Sequence, residues 1–344
     1  MDASNLYGLS KQDLVKRVGG MDQLAGVKLV EAGDGLARGS RQFHVWTGSG
    51  LTFDVQAERT LDIAACRYKG IPLAWISSVG EAHPAYYDPA GQGWLRSFTG
   101  GLLTTCGLDQ WGPPNEDMGE ELGQHGRVSN LPARYVSYSA GWSGDEYEIE
   151  ISGGVRQTRV FGENLILRRR IATRLGSSAI RIEDVVTNEG FAPHPHMILY
   201  HFNLGFPLLS EDAQLLVDAA ETTPRDPEAA AGADAWMRFQ PPTPGYQEQV
   251  FLHRPRADKA GMVQVEVRNP RLGLGLRLRY DSTTLPYLME WKMMGEGMYV
   301  LGVEPANCGV MEGRAAARAA GVLSMLEPGE SRRYGLSVEV VEYA

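Results

Sequence analysis

Hydrophobic and polar positions alternate in short runs along the chain from residue 26 onward. Residues 147–151, 263–267 and 336–341 alternate strictly, and turns rich in Gly, Asp and Pro separate such runs. Because successive side chains of a strand point to opposite faces, a period of two is typical of half-buried antiparallel strands. With many strands and almost no helical pattern, the sequence predicts an all-β fold, a large antiparallel β-sandwich.

The first 25 residues have a helical pattern instead. Ser10 can cap a helix, Asp13 stands at the capping-box position, and Leu14 begins an apolar stripe. We therefore predict a short N-terminal helix in an extension over residues 1–25. A single β-sandwich domain is expected to follow over residues 26–344, since no linker divides the rest of the chain.

Two long segments interrupt the strand pattern, residues 80–130 and residues 221–246. Both are rich in Gly and Pro, and the second contains an alanine-rich stretch, residues 227–236, that could form a short helix. Long loops in compact domains are often functional. We expect these two loops to contribute to a functional site.

Composition narrows the class of protein. The 344 residues are 43% hydrophobic with a net charge of −9, which is ordinary globular composition. The densest basic run, residues 168–170, lies in an alternating segment and predicts a solvated strand face rather than a nucleic-acid surface. Cys66, Cys106 and Cys308 form no CxxC pair, which argues against disulfides and a cysteine zinc site. No signal-peptide or membrane-spanning pattern is found, so we expect a cytoplasmic protein that binds neither nucleic acid nor membrane.

The most informative strand pattern is residues 197–207, MILYHFNLGFP. His201 and Asn203 are two residues apart and therefore share one face of the predicted strand. Gly205 and Pro207 are expected to end the strand, which would place the polar pair near the rim of a sheet. A buried histidine with a satisfied hydrogen bond is the alternative interpretation.

A second polar group follows an apolar strand pattern near the end of the chain. Glu304 lies in GVEPANCG, and Pro305 is expected to end the strand directly after it. Partial desolvation at such a position raises the basicity of a carboxylate. An ordinary surface glutamate at a strand end is the alternative interpretation.

Other polar residues could bind a sugar. Glu290 and Lys292 share one strand face and Trp291 lies on the other, where the indole could stack on a sugar ring. A surface ion pair is the alternative interpretation of Glu290 and Lys292. Glu248 and Gln249 precede a strand and could bind hydroxyl groups.

Four motifs occur in the order found in aldose 1-epimerases (galactose mutarotases), and the sequence resembles that family. They are HG at 125–126, HFNLG at 201–205, an acid three residues before Phe251, and LGVEPAN at 301–307. The segments GLLTTCGLDQWGPP and MEWKMMGEGMYVLGVEPANC look like those of a divergent bacterial branch of mutarotase-like proteins. The resemblance implies the large β-sandwich of that family for the chain after residue 26.

The resemblance also implies roles for individual residues. Glu304 matches the general base of the family and His201 its general acid. His125 matches the histidine of the HG motif that helps to hold the sugar. Glu248 falls where the family has a hydroxyl-binding aspartate, and Arg59 corresponds to an arginine that precedes the HG motif.

The motif is not matched in every position. His201 directly precedes Phe202, whereas the catalytic histidine of the family lies three residues before the aromatic residue; the two positions share strand parity and hence a face. The residues expected to bind substrate are His125, Arg59, Glu248, Asp109, Gln249, Glu290, Lys292 and Trp291.

These residues lead to a hypothesis of aldose 1-epimerase activity on a free sugar, in which the ionised Glu304 and the protonated His201 each favour the charged form of the other. No cofactor is expected, and the protein would be a monomer or homodimer. One alternative is a metal-dependent sugar isomerase, epimerase or lyase using His125, His201, Glu290 or Glu304, and His194 or His196, although strand parity places the last two on the opposite face. Another is a non-catalytic sugar-binding module.

Overall fold

Strands form most of the protein in a computed structural model, which describes residues 7–343. Within these residues the strands are β1 (Gly26–Glu31), β2 (Arg41–Trp46), β3 (Leu51–Gln56), β4 (Asp62–Tyr68), β5 (Ile71–Pro72), β6 (Leu103–Leu108), β7 (Asn115–Asp117), β8 (Glu120–Leu122), β9 (Arg134–Ser143), β10 (Glu146–Thr158), β11 (Asn164–Arg174), β12 (Ala179–Asn188), β13 (His194–Pro195), β14 (Met197–Gly205), β15 (Gln214–Val217), β16 (Ala219–Pro224), β17 (Gln249–Pro255), β18 (Met262–Asn269), β19 (Leu274–Asp281), β20 (Tyr287–Gly295), β21 (Met298–Ala306), β22 (Met325–Leu326) and β23 (Ser331–Glu342). The α-helices are α1 (Lys11–Val15), α2 (Pro227–Ala231) and α3 (Arg314–Ala319).

Two large antiparallel sheets face each other. The larger has the strand order β1-β2-β3-β4-β6-β14-β21-β20-β17-β16, with β5 paired to β4. The second has the order β15-β18-β19-β23-β12-β11-β10-β9. Neighbouring strands pair in antiparallel register. The predicted all-β sandwich is confirmed.

Strand β14 shows how the sequence divides its side chains between two environments. Tyr200 and Phe202 point into the apolar core between the two sheets. Met197 and Leu199 point the other way, into a smaller apolar cluster on the outer face of the large sheet. That cluster is covered by the loops before and after β6 and by the segment that contains α3. His201 shares the parity of Met197 and therefore faces this outer cluster.

A buried ion network connects the two sheets, and it corrects one prediction. Arg168 and Arg170 are solvent-accessible, but the side chain of Arg169 is fully buried. Its guanidinium donates to Asp184 at 2.9 and 2.7 Å and to Asp62 at 2.7 Å. Residues 168–170 were predicted to form one solvated strand face. Strand alternation instead turns Arg169 inward, where two carboxylates compensate its charge.

The N-terminal helix is present and short. Ser10 accepts a hydrogen bond from the backbone N–H of Asp13 at its N-terminus, and Leu14 is buried. Residues 1–6 and 344 of the two predicted ranges, 1–25 and 26–344, lie outside the described residues, and the division into an extension and one domain stays a prediction. No helix within residues 7–343 is both long and apolar enough to cross a membrane.

Part of the first predicted loop is a central strand of the large sheet. Residues 103–108 form β6, which pairs with both β4 and β14. Gly100 and Gly101 precede it and Gly107 lies within it, with positive φ values of 74°, 84° and 138°, which glycine adopts without strain. These glycines made the segment resemble a loop, whereas two of them lead into a short strand and the third belongs to it.

Candidate active site

His201 and Glu304 are cross-strand neighbours in the middle of the large sheet. The register pairs Leu199 with Ala306 and Phe202 with Val303, which sets His201 opposite Glu304. His201 Nε2 and Glu304 Oε1 are 3.1 Å apart, and both residues are 4% exposed. Two distant parts of the chain thus place an imidazole and a carboxyl group in contact.

The position of this pair differs from the prediction in one respect. Both residues were expected at strand ends, near a rim. In the structure β14 and β21 are interior strands, and β21 continues through Pro305 to Ala306. Pro305 interrupts the ladder between β14 and β21 at this point because it has no N–H to donate, but the strand itself does not end.

Aromatic rings surround His201 on the outer face of the sheet. The ring centroids of Phe98, Trp291 and His125 lie 5.4, 5.5 and 5.8 Å from that of His201. Trp75 extends this wall, with its centroid 5.8 Å from Phe98. Trp291 was predicted as an aromatic platform, whereas Phe98 was not singled out by any local motif.

Burial shifts both members of the pair toward their neutral forms. Desolvation raises the pKa of Glu304 well above its ordinary value, and nearby Glu248 adds to the effect. Desolvation lowers the pKa of His201 well below its ordinary value, and His125 lowers it further. We had expected each group to favour the charged form of the other; here the loss of water outweighs their attraction. Both shifts favour an uncharged pair, a carboxylic acid beside a neutral imidazole.

Three buried polar atoms at the pair have no hydrogen-bond partner within residues 7–343. They are His201 Nδ1, Glu304 Oε1 and Asn203 Oδ1. The 3.1 Å contact between His201 and Glu304 is thus close but not aligned as a hydrogen bond. Buried polar atoms are nearly always satisfied, so unpaired atoms at one place mark a functional position.

His125 comes from the loop that follows β8. Its φ is 56°, a left-handed conformation that is uncommon for residues other than glycine. Its Nδ1 accepts from the Gly112 N–H at 3.4 Å, which leaves the neutral ring its proton on Nε2. Desolvation lowers the pKa of His125 to about 4, so the ring is a neutral hydrogen-bond donor beside His201.

Glu248 lies at the edge of this aromatic wall, held from two sides. Trp291 Nε1 donates to Glu248 Oε2 at 2.8 Å, and Arg225 Nη2 donates to Oε1 at 3.0 Å. Arg225 also lowers the pKa of Glu304 by its positive charge, although burial has the larger effect. Sequence reasoning missed Arg225; it lies in the second predicted loop, but no motif marks it.

Three predicted substrate-binding residues face away from the pair. Gln249, Glu290 and Lys292 lie on the opposite face of strands β17 and β20 from Trp291. A surface ion pair was the alternative interpretation of Glu290 and Lys292, but both are buried, at 0% and 3% exposure. Strand parity was correct in separating them from Trp291. All three lie away from the pair, and their role in binding substrate stays a prediction.

Arg59 and Asp109 have other partners. Arg59 is buried and donates to the carbonyl of Ala82 at 3.2 Å. Asp109 accepts from Gln157 at 2.6 Å and from Arg314 at 3.0 Å. Both carboxylate oxygens of Asp109 are bonded within the protein, and the Arg59 guanidinium donates to the backbone, so these contacts give no support to a role in binding substrate.

Of the histidines proposed for a metal site, His194 and His196 do not join His125 and His201. His196 bonds to Leu108 O at 2.8 Å and to Tyr334 Oη at 2.7 Å, in the core between the sheets. His194 lies 3.5 Å from Asp109. Glu290 is on the inner face of β20, as described above. Across residues 7–343, no three His, Cys, Asp or Glu side chains form a set that could hold a metal ion.

Fold and pair together define the class of the protein, which is that of galactose mutarotase-like β-sandwiches. A family model described as a domain of unknown function (DUF4432) matches residues 37–340, and the chain belongs to this family. None of the curated proteins matches the sequence.

Solved structures agree with this class. A candidate aldose 1-epimerase from Klebsiella pneumoniae subsp. pneumoniae MGH 78578 is 27% identical, with a TM-score of 0.88 over 94% of this chain and 86% of that chain. A galactose mutarotase-like protein from Clostridium acetobutylicum is 11% identical, with a TM-score of 0.66 over 93% and 99%. Galactose 1-epimerase from Lactobacillus acidophilus NCFM is 12% identical, with a TM-score of 0.59 over 93% and 100%. The last two show the fold alone, and all three support a carbohydrate epimerase type of fold.

Proposed function

We propose that the protein is an aldose 1-epimerase that interconverts the α and β anomers of a free sugar. The observation that carries this proposal is the buried pair of His201 and Glu304, 3.1 Å apart on the floor of an aromatic-walled surface. The names of the similar structures support the same class of reaction.

The reaction requires two proton transfers that balance. One group removes the proton of the O1 hydroxyl while the other delivers a proton to the ring oxygen, and the C1–O5 bond breaks to give the open-chain aldehyde. After rotation about C1–C2, the reverse transfers close the ring with the opposite anomeric configuration. A pair that shares one transferable proton can perform both transfers, because one member gives up a proton while the other gains one. Glu304 and His201 match this requirement.

The surroundings of the pair suit a sugar ring. Trp291 and Phe98 offer flat apolar surfaces for C–H groups, in contact range of His201. The His125 Nε2–H can donate to a hydroxyl, and Glu248 can accept from one. Because the pair itself is only 4% exposed, substrate must be seated against these side chains for O1 and the ring oxygen to reach it.

The test is anomer exchange across a panel of hexoses, pentoses and uronates, followed by NMR saturation transfer and polarimetry. We expect catalysed exchange of at least one sugar, and loss of that catalysis in His201→Asn and in Glu304→Gln. Normal exchange rates in either variant would refute the assignment of the pair.

The same panel separates catalysis from binding alone, which the aromatic wall also favours. A sugar-binding module would retain its affinity in Glu304→Gln and would catalyse no exchange in the unmodified protein. Equilibrium binding of the same sugars, measured by calorimetry on both proteins, distinguishes the two functions.

A further inference from the structure

Asn203 lies next to the catalytic pair in a constrained orientation. Its Nδ2 donates to the carbonyl oxygens of Gly101 and His201, each at 3.0 Å. An amide oxygen could not make these contacts, because both partners are acceptors. The contacts therefore fix which end of the amide is nitrogen. The remaining atom, Oδ1, is a buried acceptor with no partner among residues 7–343.

The complementary donor is two residues away. His201 Nδ1 is also buried and unpartnered within residues 7–343. His201 and Asn203 share a face of β14, because they are two positions apart in a continuous strand. An unpaired ring nitrogen and an unpaired amide oxygen thus lie on the same face of one strand in the interior, where each would otherwise cost free energy.

We propose that Asn203 is a positioning residue of the active site: its Oδ1 accepts a hydrogen bond from His201 Nδ1–H and so selects the tautomer of the catalytic histidine. In this tautomer His201 Nε2 carries the lone pair, and it lies 3.1 Å from Glu304 Oε1. The positioning role of Asn203 in catalysis rests on the proposed epimerase function, whereas the tautomer of His201 does not depend on that function.

The assignment agrees with the electrostatics of the pair. Burial raises the pKa of Glu304 and lowers that of His201. These directions favour a neutral carboxyl group, whose O–H can donate to an unprotonated Nε2. A histidine protonated on Nε2 could donate only to the carbonyl oxygen of that group and would leave the carboxyl O–H without the Nε2 acceptor. Fixing Nδ1–H keeps Nε2 an acceptor before substrate arrives.

The direct test is the ring ¹⁵N spectrum of the ¹⁵N-labelled full-length protein, without any sugar. Long-range ¹H–¹⁵N correlation distinguishes protonated from unprotonated ring nitrogens, and the signals that disappear in His201→Asn identify His201. At neutral pH we expect the proton on Nδ1. A His201 found as the Nε2–H tautomer would overturn the proposal, whether or not the protein catalyses anomer exchange.

Two variants test the cause. Asn203→Asp keeps an acceptor beside His201 Nδ1, whereas Asn203→Leu removes it; both lose the donor to Gly101. We expect the Nδ1–H tautomer to persist in Asn203→Asp and to be lost in Asn203→Leu. On the sugar that the protein turns over, kcat of Asn203→Leu should fall about 10–100-fold with little change in KM, as is usual for a residue that orients a catalytic group. Asn203→Asp should retain more of the rate than Asn203→Leu.

Asn188 offers a matched control for a purely structural role. It is also buried, and its Nδ2 donates to the carbonyls of Ala192 and Leu326, each at 2.9 Å. Asn188→Leu should lower the melting temperature without changing the His201 tautomer. If Asn203→Leu behaves in the same way, with an unchanged tautomer and an unchanged kcat, Asn203 is structural and the proposal is wrong. The spectrum of the unmodified protein decides the tautomer even if a variant fails to fold.

Discussion

The large sheet carries two buried histidine–glutamate pairs on its opposite faces. His201 and Glu304 face the outer aromatic cluster, whereas His253 and Glu290 face the inner side. The two Nε2–Oε distances are the same, 3.1 Å, and all four residues are at most 4% exposed. By residue type, separation and burial the pairs are nearly indistinguishable.

The two histidine–glutamate pairs differ in their hydrogen bonding. Both ring nitrogens of His253 are bonded, Nδ1 to Thr222 Oγ1 at 2.9 Å and Nε2 to Glu290. His201 Nδ1 has no partner within residues 7–343, and its contact with Glu304 is not aligned. Within residues 7–343 the inner pair completes the hydrogen bonding of its ring and leaves one buried atom without a partner, Glu290 Oε1, whereas the outer pair with Asn203 leaves three. The number of unsatisfied polar atoms, more than a close charged contact, distinguishes the outer pair as the candidate for binding another molecule.

The strongest test of this comparison replaces the carboxyl group of each pair. Glu304→Gln should reduce kcat about 10²–10⁴-fold, because a positioned acid–base group contributes that much. Glu290→Gln should leave kcat and KM close to those of the unmodified protein, since Glu290 lies on the other face. Kinetics by polarimetry on both purified variants checks this. Equal losses in the two variants would contradict the distinction between the pairs.

The converse test concerns stability. His253→Ala leaves Glu290 buried without its partner and should lower the free energy of unfolding by about 3 kcal/mol. Anomer exchange by the folded variant should persist. Urea unfolding followed by intrinsic fluorescence gives the first quantity and polarimetry the second. A His253→Ala protein of normal stability would show that the inner pair is not a structural element.

A smaller effect is expected at the wall of the site. Trp291→Phe keeps an aromatic ring near His201 but removes the hydrogen bond to Glu248, which is worth about 1 kcal/mol. KM should rise about fivefold with kcat little changed. Trp236 stacks near the inner histidine, with its centroid 4.7 Å from His253; Trp236→Phe is the matched control and should leave KM unchanged. A larger effect of Trp236→Phe than of Trp291→Phe on KM would place the substrate elsewhere.

The smallest expected effect is a pH dependence of stability. The pKa of Glu304 is raised in the folded protein, so its contribution is fully present below its unfolded pKa of 4.5 and is lost as pH rises through the folded value. Glutamine does not titrate. The melting temperature of Glu304→Gln relative to the unmodified protein should therefore increase between pH 5 and pH 8. A difference that stays constant, or decreases, would show that Glu304 is not desolvated as described.

The sequence could predict how side chains divide between faces but not which face is functional. The period of two correctly grouped His201 with Asn203 and separated Trp291 from Glu290. Alternation does not show which face is the inner one, however, because side chains on the inner and outer faces of a two-sheet fold follow the same period of two along a strand. Which face is covered by loops depends on the whole topology, and this is why the sequence could not show that Gln249, Glu290 and Lys292 lie on the face opposite the pair.

Partners far apart in the chain were also beyond local reasoning. Asp109 is satisfied by Arg314, and a carboxylate with such a partner looks the same in sequence as a free one. Arg225 and Phe98 reach the pair only because two predicted functional loops fold over the same part of the sheet. Sequence motifs drew attention to His201 and Glu304, and the two long loops indicated the region around them. The individual contacts of these residues could be seen only in the structure.

The order of strands in the large sheet also separates chemistry from recognition. The acid–base pair is on the interior strands β14 and β21, which are held on both sides, whereas Arg225 and Glu248 adjoin β16 and β17 at one edge. Edge segments tolerate substitutions and insertions that interior strands do not. Substitutions can therefore alter the surroundings of the pair from one margin of the sheet while His201 and Glu304 stay in place. Under the proposed function, such changes would alter which sugar binds without moving the groups that transfer protons.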